Sequence, residues 1–212
     1  MTRWSSAAGF VQSLAGMRMP DVFNPYADTC ATYDLSNAPA IRRKNLELVL
    51  AAALSGGIDA LWIAQDLGRN GGRRTGLALT DEPNLDALAA RWQLKGVKRA
   101  TSGSIVREAT AGYAWQALKH EKTKVFLWNI FPFHSHPAGQ PLRNRGHSRA
   151  EAASSLPFLL WLADTFRPRK VVALGRVAEA TLKKQGITCD AVRHPGRGGG
   201  PRFLRDMAAL NS

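Results

Sequence analysis

Apolar and polar positions fall along this chain in short blocks that alternate between two periodicities. Residues 60–64 (ALWIA) are uniformly apolar and stop abruptly at Gln65-Asp66. A run this short, bounded by polar and turn residues, predicts a buried strand. Residues 124–129 (KVFLWN), 170–174 (KVVAL, closed by Gly175) and 188–192 predict three more. Helical patterns separate them. Residues 39–55 carry a proline near the first turn and Gly56-Gly57 at the stop, as helix ends favour. Further helices are predicted over 3–17, 84–92, 105–120, 177–185 and 201–210. Ser148-Arg-Ala-Glu151 is a capping-box pattern that opens an apolar helix running to about Phe166. Residues 21–34 predict irregular structure, and 131–147 a long loop with Pro132, Pro137, Pro141 and three histidines.

Strands that alternate with helices imply βαβ units. The predicted fold class is α/β: a single domain whose central four-stranded, mainly parallel sheet is flanked by helices on both faces. No repeat, low-complexity tract or linker divides the chain. Residues 1–212 are therefore expected as one domain, a helical region over 1–57 preceding a catalytic core over 58–212. In open α/β sheets, ligands bind beyond the carboxyl ends of the strands. Asp66 and His194 follow two of the predicted strands and Asn129 ends a third, so the three should converge at one sheet edge.

Charge narrows the class of partner. Lys and Arg number 29 against 16 Asp and Glu, a formal charge of +13. Such an excess points to a polyanion. It is spread over Arg73-Arg74, Lys98-Arg99, Arg143, Arg145, Arg167, Arg169-Lys170, Arg202 and Arg205, which suits a surface better than a tail. Cys30 and Cys189 are too few for a disulfide framework or a four-thiolate cluster. No stretch approaches the roughly 20 apolar residues of a membrane span. A basic segment leading into a long apolar one is also missing from the N-terminus, so a cytoplasmic protein is expected; it is taken as a monomer, nucleoid-associated when bound to a nucleic-acid polyanion.

In order, Gln65-Asp66 with Gly76-Leu77-Ala78, then Val125-Phe-Leu-Trp-Asn129, then Val171-Val-Ala-Leu-Gly175, then His194-Pro195 resemble the motifs of the uracil-DNA glycosylase superfamily. The first is closest to the Ung-like branch. The resemblance implies that Asp66 assists water attack, that Gln65, Gly68 and Leu79 line the base pocket, that Asn129 reads the uracil edge, and that His194 stabilises the departing base. Three departures stand out. Leu67-Gly68 replaces the Pro-Tyr that crowds a thymine methyl; Leu79 stands for the stacking Phe; Gly198 falls where a Leu wedge is expected. Phe23, Phe131 and Trp128 are alternative stacking residues. The chain has no cysteines for an iron–sulfur cluster, and no metal or organic cofactor is implied.

The chemistry agrees with these assignments. Breaking an N-glycosidic bond develops positive charge on the sugar and negative charge on the base, so an anion and hydrogen-bond donors are needed. Asp66 supplies the anion, and the Asn129 amide matches the N3–H and O4 of uracil together. The same residues admit plainer roles. Asp66 could cap a helix or pair with Arg69 or Arg73, Asn129 could close a strand-end turn, and His194 could be a loop histidine. His134, His136 and His147 lack the carboxylate or thiol set of a zinc site; one of the three, His134 before the others, is expected to line the pocket or touch phosphate. The Gly-rich loops at 69–74 and 197–202 place Arg69, Arg73, Arg74, Arg197 and Arg202 as phosphate contacts, with Arg197 as a replacement wedge. Neither loop has a P-loop or dinucleotide pattern. The expected activity is monofunctional hydrolysis of deoxyuridine in DNA, single- or double-stranded. The alternatives are a glycosylase for another base, such as thymine or hypoxanthine, and an inactive DNA-binding protein on the same scaffold.

Overall fold

The computed structural model describes residues 4–210. Its strands are β1 (Val22–Phe23), β2 (Ala60–Asp66), β3 (Val125–Phe131), β4 (His134–Ser135), β5 (Lys170–Leu174) and β6 (Asp190–Val192). Its helices are α1 (Ala7–Gly16), α2 (Ala38–Gly56), α3 (Gly72–Thr75), α4 (Leu85–Arg91), α5 (Ala109–Leu118), α6 (Arg149–Phe166), α7 (Arg176–Lys184) and α8 (Gly200–Leu210). A 3-10 turn, Glu82–Asn84, leads into α4.

Four strands form one parallel sheet in the order β3-β2-β5-β6. The apolar blocks account for it: the first five residues of β2 are buried, and burial relaxes only at Gln65 and Asp66. β2 lies between β3 and β5, so its carboxyl end sits at the middle of the sheet edge. Helix α6 packs on β3, α7 spans β5, β2 and β3, and α5 lies against α8. An aromatic cluster seals the space between α1, α6 and β3. Trp4 stacks on Phe158 at 4.6 Å, and Phe10 meets Trp128 edge-on at 5.6 Å. Each such pair adds about 0.5–1.5 kcal/mol beyond the area it buries.

Helix ends follow their predicted chemistry. Pro39 lies in the first turn of α2, and Gly57 ends it at a φ of 68°. The capping box of α6 is formed in both directions, the Glu151 N–H reaching Ser148 Oγ at 3.2 Å and the Ser148 N–H reaching Glu151 Oε2 at 2.5 Å. The first helix, expected over 3–17, runs Ala7–Gly16, with Arg3 outside the described residues.

Three features differ from expectation. Helix α5 starts at Ala109 rather than 105, because Asp81 Oδ2 and Glu82 Oε2 take the N–H groups of Glu108 and Val106, each at 2.8 Å, and hold that segment extended. A second, two-stranded antiparallel sheet pairs β1 with β4, so residues near 22 are tied to the loop after β3. The Gly/Arg loop contains the short helix α3, and every residue from Gly71 to Thr80 is buried.

Candidate active site

Asp66 is the last residue of β2, with a side chain 14 % exposed. Neither Arg69 nor Arg73 pairs with it. Gln65 Nε2 donates to Asp66 Oδ2 at 2.9 Å, and the His147 backbone N–H lies 3.4 Å from the same oxygen. The other oxygen, Oδ1, meets His147 Nδ1 directly. His147 arrives from the loop just before α6. Its position is set by the cap at Ser148 and by Arg145, which pairs with Glu151 at 2.8 Å. That guanidinium and the cap N–H hold the Glu151 carboxyl down at about 2. The His147 ring rests on Phe131, centroids 5.7 Å apart.

Asn129 sits on β3 opposite Ala64, two residues short of the Phe131–Asp66 pair. It is 1 % exposed, and both its Nδ2 and its Oδ1 lack any hydrogen-bond partner in the protein. A turn-closing Asn would bond to nearby backbone, and this one does not. Buried polar groups are nearly always paired, which sets this amide apart from the rest of β3.

His194 follows β6 and leans over the end of β5. A Cβ at Gly175 would lie 2.8 Å from His194 Cβ, and Gly175 has a φ of 92°, so only glycine fits there. The Gly196 N–H donates to His194 Nδ1 at 3.0 Å. Nδ1 is therefore an acceptor, which leaves Nε2 carrying the proton of a neutral ring. Burial, then the charges of Arg193 and Arg197, lower the pKa of this histidine; the charge of Asp66 opposes them. The ring is thus a neutral donor set on the opposite side of the sheet edge from Asn129.

Asp66, Asn129 and His194 thus come from the carboxyl-terminal ends of β2, β3 and β6, along one edge of the sheet. The Uracil DNA glycosylase superfamily matches residues 57–205. The chain belongs to that superfamily. No curated protein matches it. Among solved structures it is similar to SMUG2 of Pedobacter heparinus, at 14 % identity over 98 % of both chains with a TM-score of 0.60. Superfamily membership supports DNA glycosylase chemistry with DNA as substrate. The structural likeness shows the shared fold.

Against that background the Gly/Arg loop is corrected. Arg73 and Arg74 are not phosphate contacts: they are 2 % and 5 % exposed. The Arg73 guanidinium lies 3.6 Å over the Phe23 ring, donates to Tyr33 Oη at 2.7 Å and meets His134 Nδ1 at 3.0 Å. Arg74 bonds Glu82 at 3.0 Å and stacks over Tyr33. Residues 22–34 thus form the outer wall of the loop, and the cations hold wall and loop together. His134 is also committed. Arg73 can only donate, so His134 Nδ1 accepts and Nε2–H donates to Asn144 Oδ1 at 3.0 Å. Burial first, then Arg73, keeps its pKa near about 3, so it is neutral and has no free polar atom for a base or phosphate.

Arg69, Arg197 and Arg202 remain exposed, Arg197 in a left-handed conformation with φ of 52°. The Arg69 guanidinium bonds Leu142 O at 3.1 Å, and Arg202 pairs only loosely with Asp206 at 3.6 Å. Of the candidate stacking rings, Phe23 is covered by Arg73 and Trp128 lies in the aromatic cluster. Phe131 alone of the three touches a residue bound to Asp66. Leu79 is buried in the core with a φ of 51°.

Two groups at this edge escape the sequence reading: His147, described above, and Glu108. Cβ atoms built at Gly68 and Gly71 would lie 1.8 and 2.1 Å from the Glu108 carboxyl oxygens, so the carboxyl fills the space over both glycines. Burial, reinforced by Asp81, pushes it up to about 7. Neither received a role at the Asp66 end of β2 from the sequence, since both come from elements remote from it. The cap at Ser148 was the one signal pointing at His147, because a cap fixes the residue before it.

Proposed function

We propose that the protein hydrolyses the bond between uracil and deoxyribose in DNA, releasing uracil and leaving an abasic site. The orphaned Asn129 amide carries this reading. One donor and one acceptor match the N3–H and O4 of uracil, and an amide held in that orientation meets the opposite polarity at the corresponding atoms of cytosine. Asp66 lies where a carboxylate stabilises positive charge on the sugar. The neutral His194 offers Nε2–H to the oxygen on which negative charge grows as the base departs.

The protein's own groups make the reaction a simple hydrolysis, with water as nucleophile. Duplex DNA must first extrude the nucleotide, so a single strand or a U·G mismatch costs less to engage. Exposed Arg69, Arg197 and Arg202 border the site loops and suit backbone phosphates.

Cleavage of a single-uracil oligonucleotide, with alkali added to expose abasic sites, tests the proposal. Wild type should cut after alkali, and Asp66→Asn should lose at least about 100-fold in rate while keeping most DNA affinity. Wild-type activity on thymine or hypoxanthine, but not on uracil, would overturn the base assignment. Tight binding with no cleavage of any lesion would return the chain to a binding role.

A further inference from the structure

We propose that Asp66 and His147 form a carboxylate–imidazole dyad in which His147, not Asp66 itself, takes the proton from the attacking water. The inference rests on the N-glycosidic hydrolysis proposed above. Its starting observation is the direct contact between Asp66 Oδ1 and His147 Nδ1. A carboxylate only accepts, so Nδ1 carries a hydrogen and the neutral ring presents a free lone pair at Nε2.

That lone pair is available. The fully buried side-chain nitrogens and oxygens without partners, among the described residues, belong to Arg91, Trp128, Asn129 and Trp161. His147 Nε2 has no protein partner and is not among them, so it opens to solvent although its side chain is only 7 % exposed. The ring is held by Asp66 and by the Phe131 ring tilted against it, and the residue's backbone N–H is directed at Asp66 Oδ2. Meanwhile Asp66 is occupied by three donors, from Gln65, the His147 ring and the His147 backbone. A carboxylate so engaged is better placed to orient and polarise a base than to act as one.

In the step itself, a water O–H proton passes to His147 Nε2 while the water oxygen bonds to C1′ of the sugar. The C1′–N bond breaks, and its electron pair leaves with the base, held by His194 Nε2–H. The base takes a proton from solvent, and the imidazolium returns its proton to solvent. Asp66 stabilises the imidazolium throughout. Charged and titratable groups on the surrounding elements are Asp66 on β2, Glu151 with its partner Arg145 at the start of α6, and His194 across the edge.

His147→Asn tests the dyad. The Asn amide stands near the Nδ1 position and keeps a donor for Asp66, but it has no group in place of Nε2. His147→Gln, which reaches further, is the second variant, and thermal melts show that each folds. Single-turnover cleavage of the uracil oligonucleotide is followed as a function of pH for wild type and both variants. The dyad predicts at least about a 100-fold fall in rate at neutral pH, loss of the acid limb of the profile, and substrate affinity within a few-fold. A folded His147→Asn protein with near wild-type rate overturns the dyad, as does a slow one that keeps the acid limb or loses its activity through affinity. Wild-type inactivity toward uracil would instead count against the parent function, so the two failures are distinguishable.

Discussion

Replacing Asn129 by leucine should make the protein more stable and inactive. The side chain is 1 % exposed on a strand packed into the sheet, and both of its polar atoms lack partners. An orphaned buried polar group costs about 1–3 kcal/mol relative to a paired one. Leucine has a similar branched shape and no polar atoms, so it relieves that cost at both atoms while adding apolar contact. Crowding by the larger methyl groups offsets part of the gain. The net expectation is about 1–3 kcal/mol of added stability. In a domain of this size each kcal/mol moves the melting temperature by about 2–4 °C, so a rise of roughly 2–12 °C should follow. Urea unfolding at fixed pH is the primary assay, read as a higher midpoint at an unchanged m-value, with oligonucleotide cleavage measured on the same preparation. A lower midpoint would show that Asn129 holds the fold through a bond made in solution. That result would refute an amide kept unpaired for a base, whatever happened to activity.

Other consequences separate the arginines and the buried acid. Arg197→Ala and Arg69→Ala should each weaken DNA binding and reduce the slope of log K against log salt by about 0.9 for each phosphate of duplex DNA left without its cation. Arg73→Ala should leave that slope alone but destabilise the fold by about 1–3 kcal/mol, because the Tyr33 hydroxyl and His134 Nδ1 lose their buried donor, seen in urea unfolding. Glu108 is held up at about 7, above its ordinary value, so the folded state binds its proton more tightly than the unfolded one. Its contribution is therefore intact below the unfolded value near 4.5 and is lost as pH rises through about 7. Glu108→Gln should match wild type at pH 4 and exceed it at pH 8.5 by up to about 3 kcal/mol; equal differences at both pH values would refute the burial argument.

What the sequence revealed and what it hid divide along a physical line. The three longer strands of the sheet were legible because four or five apolar residues in a row, stopped by a polar residue or glycine, have few other solutions. Asp66 ends β2 as expected, whereas β3 continues two residues past Asn129 to Phe131. Once the strands are parallel, topology alone carries Asp66, Asn129 and His194 to one edge. The charged residues obeyed no such rule. Arg73 and Arg74 lie in a Gly-rich run that reads as a solvated basic loop, yet residues 22–34 cover them, and that cover depends on the pairing of Phe23 with His134 across more than half the chain. An arginine's role is set by whether an aromatic face and a carboxylate are waiting for it. Phe23, Tyr33 and Glu82 are waiting here, and none is a sequence neighbour. His147 was hidden for the same reason: it is 81 positions from Asp66, and only the α6 cap brings its ring to the carboxylate. The difference matters for function, because positive charge that is spent inside the protein cannot steer DNA. On the proposed function the phosphate contacts fall to exposed arginines, and Arg69 and Arg197 each lie three residues after a proposed catalytic group, Asp66 or His194. A phosphate contact that shifts either segment would then also shift the group that precedes it.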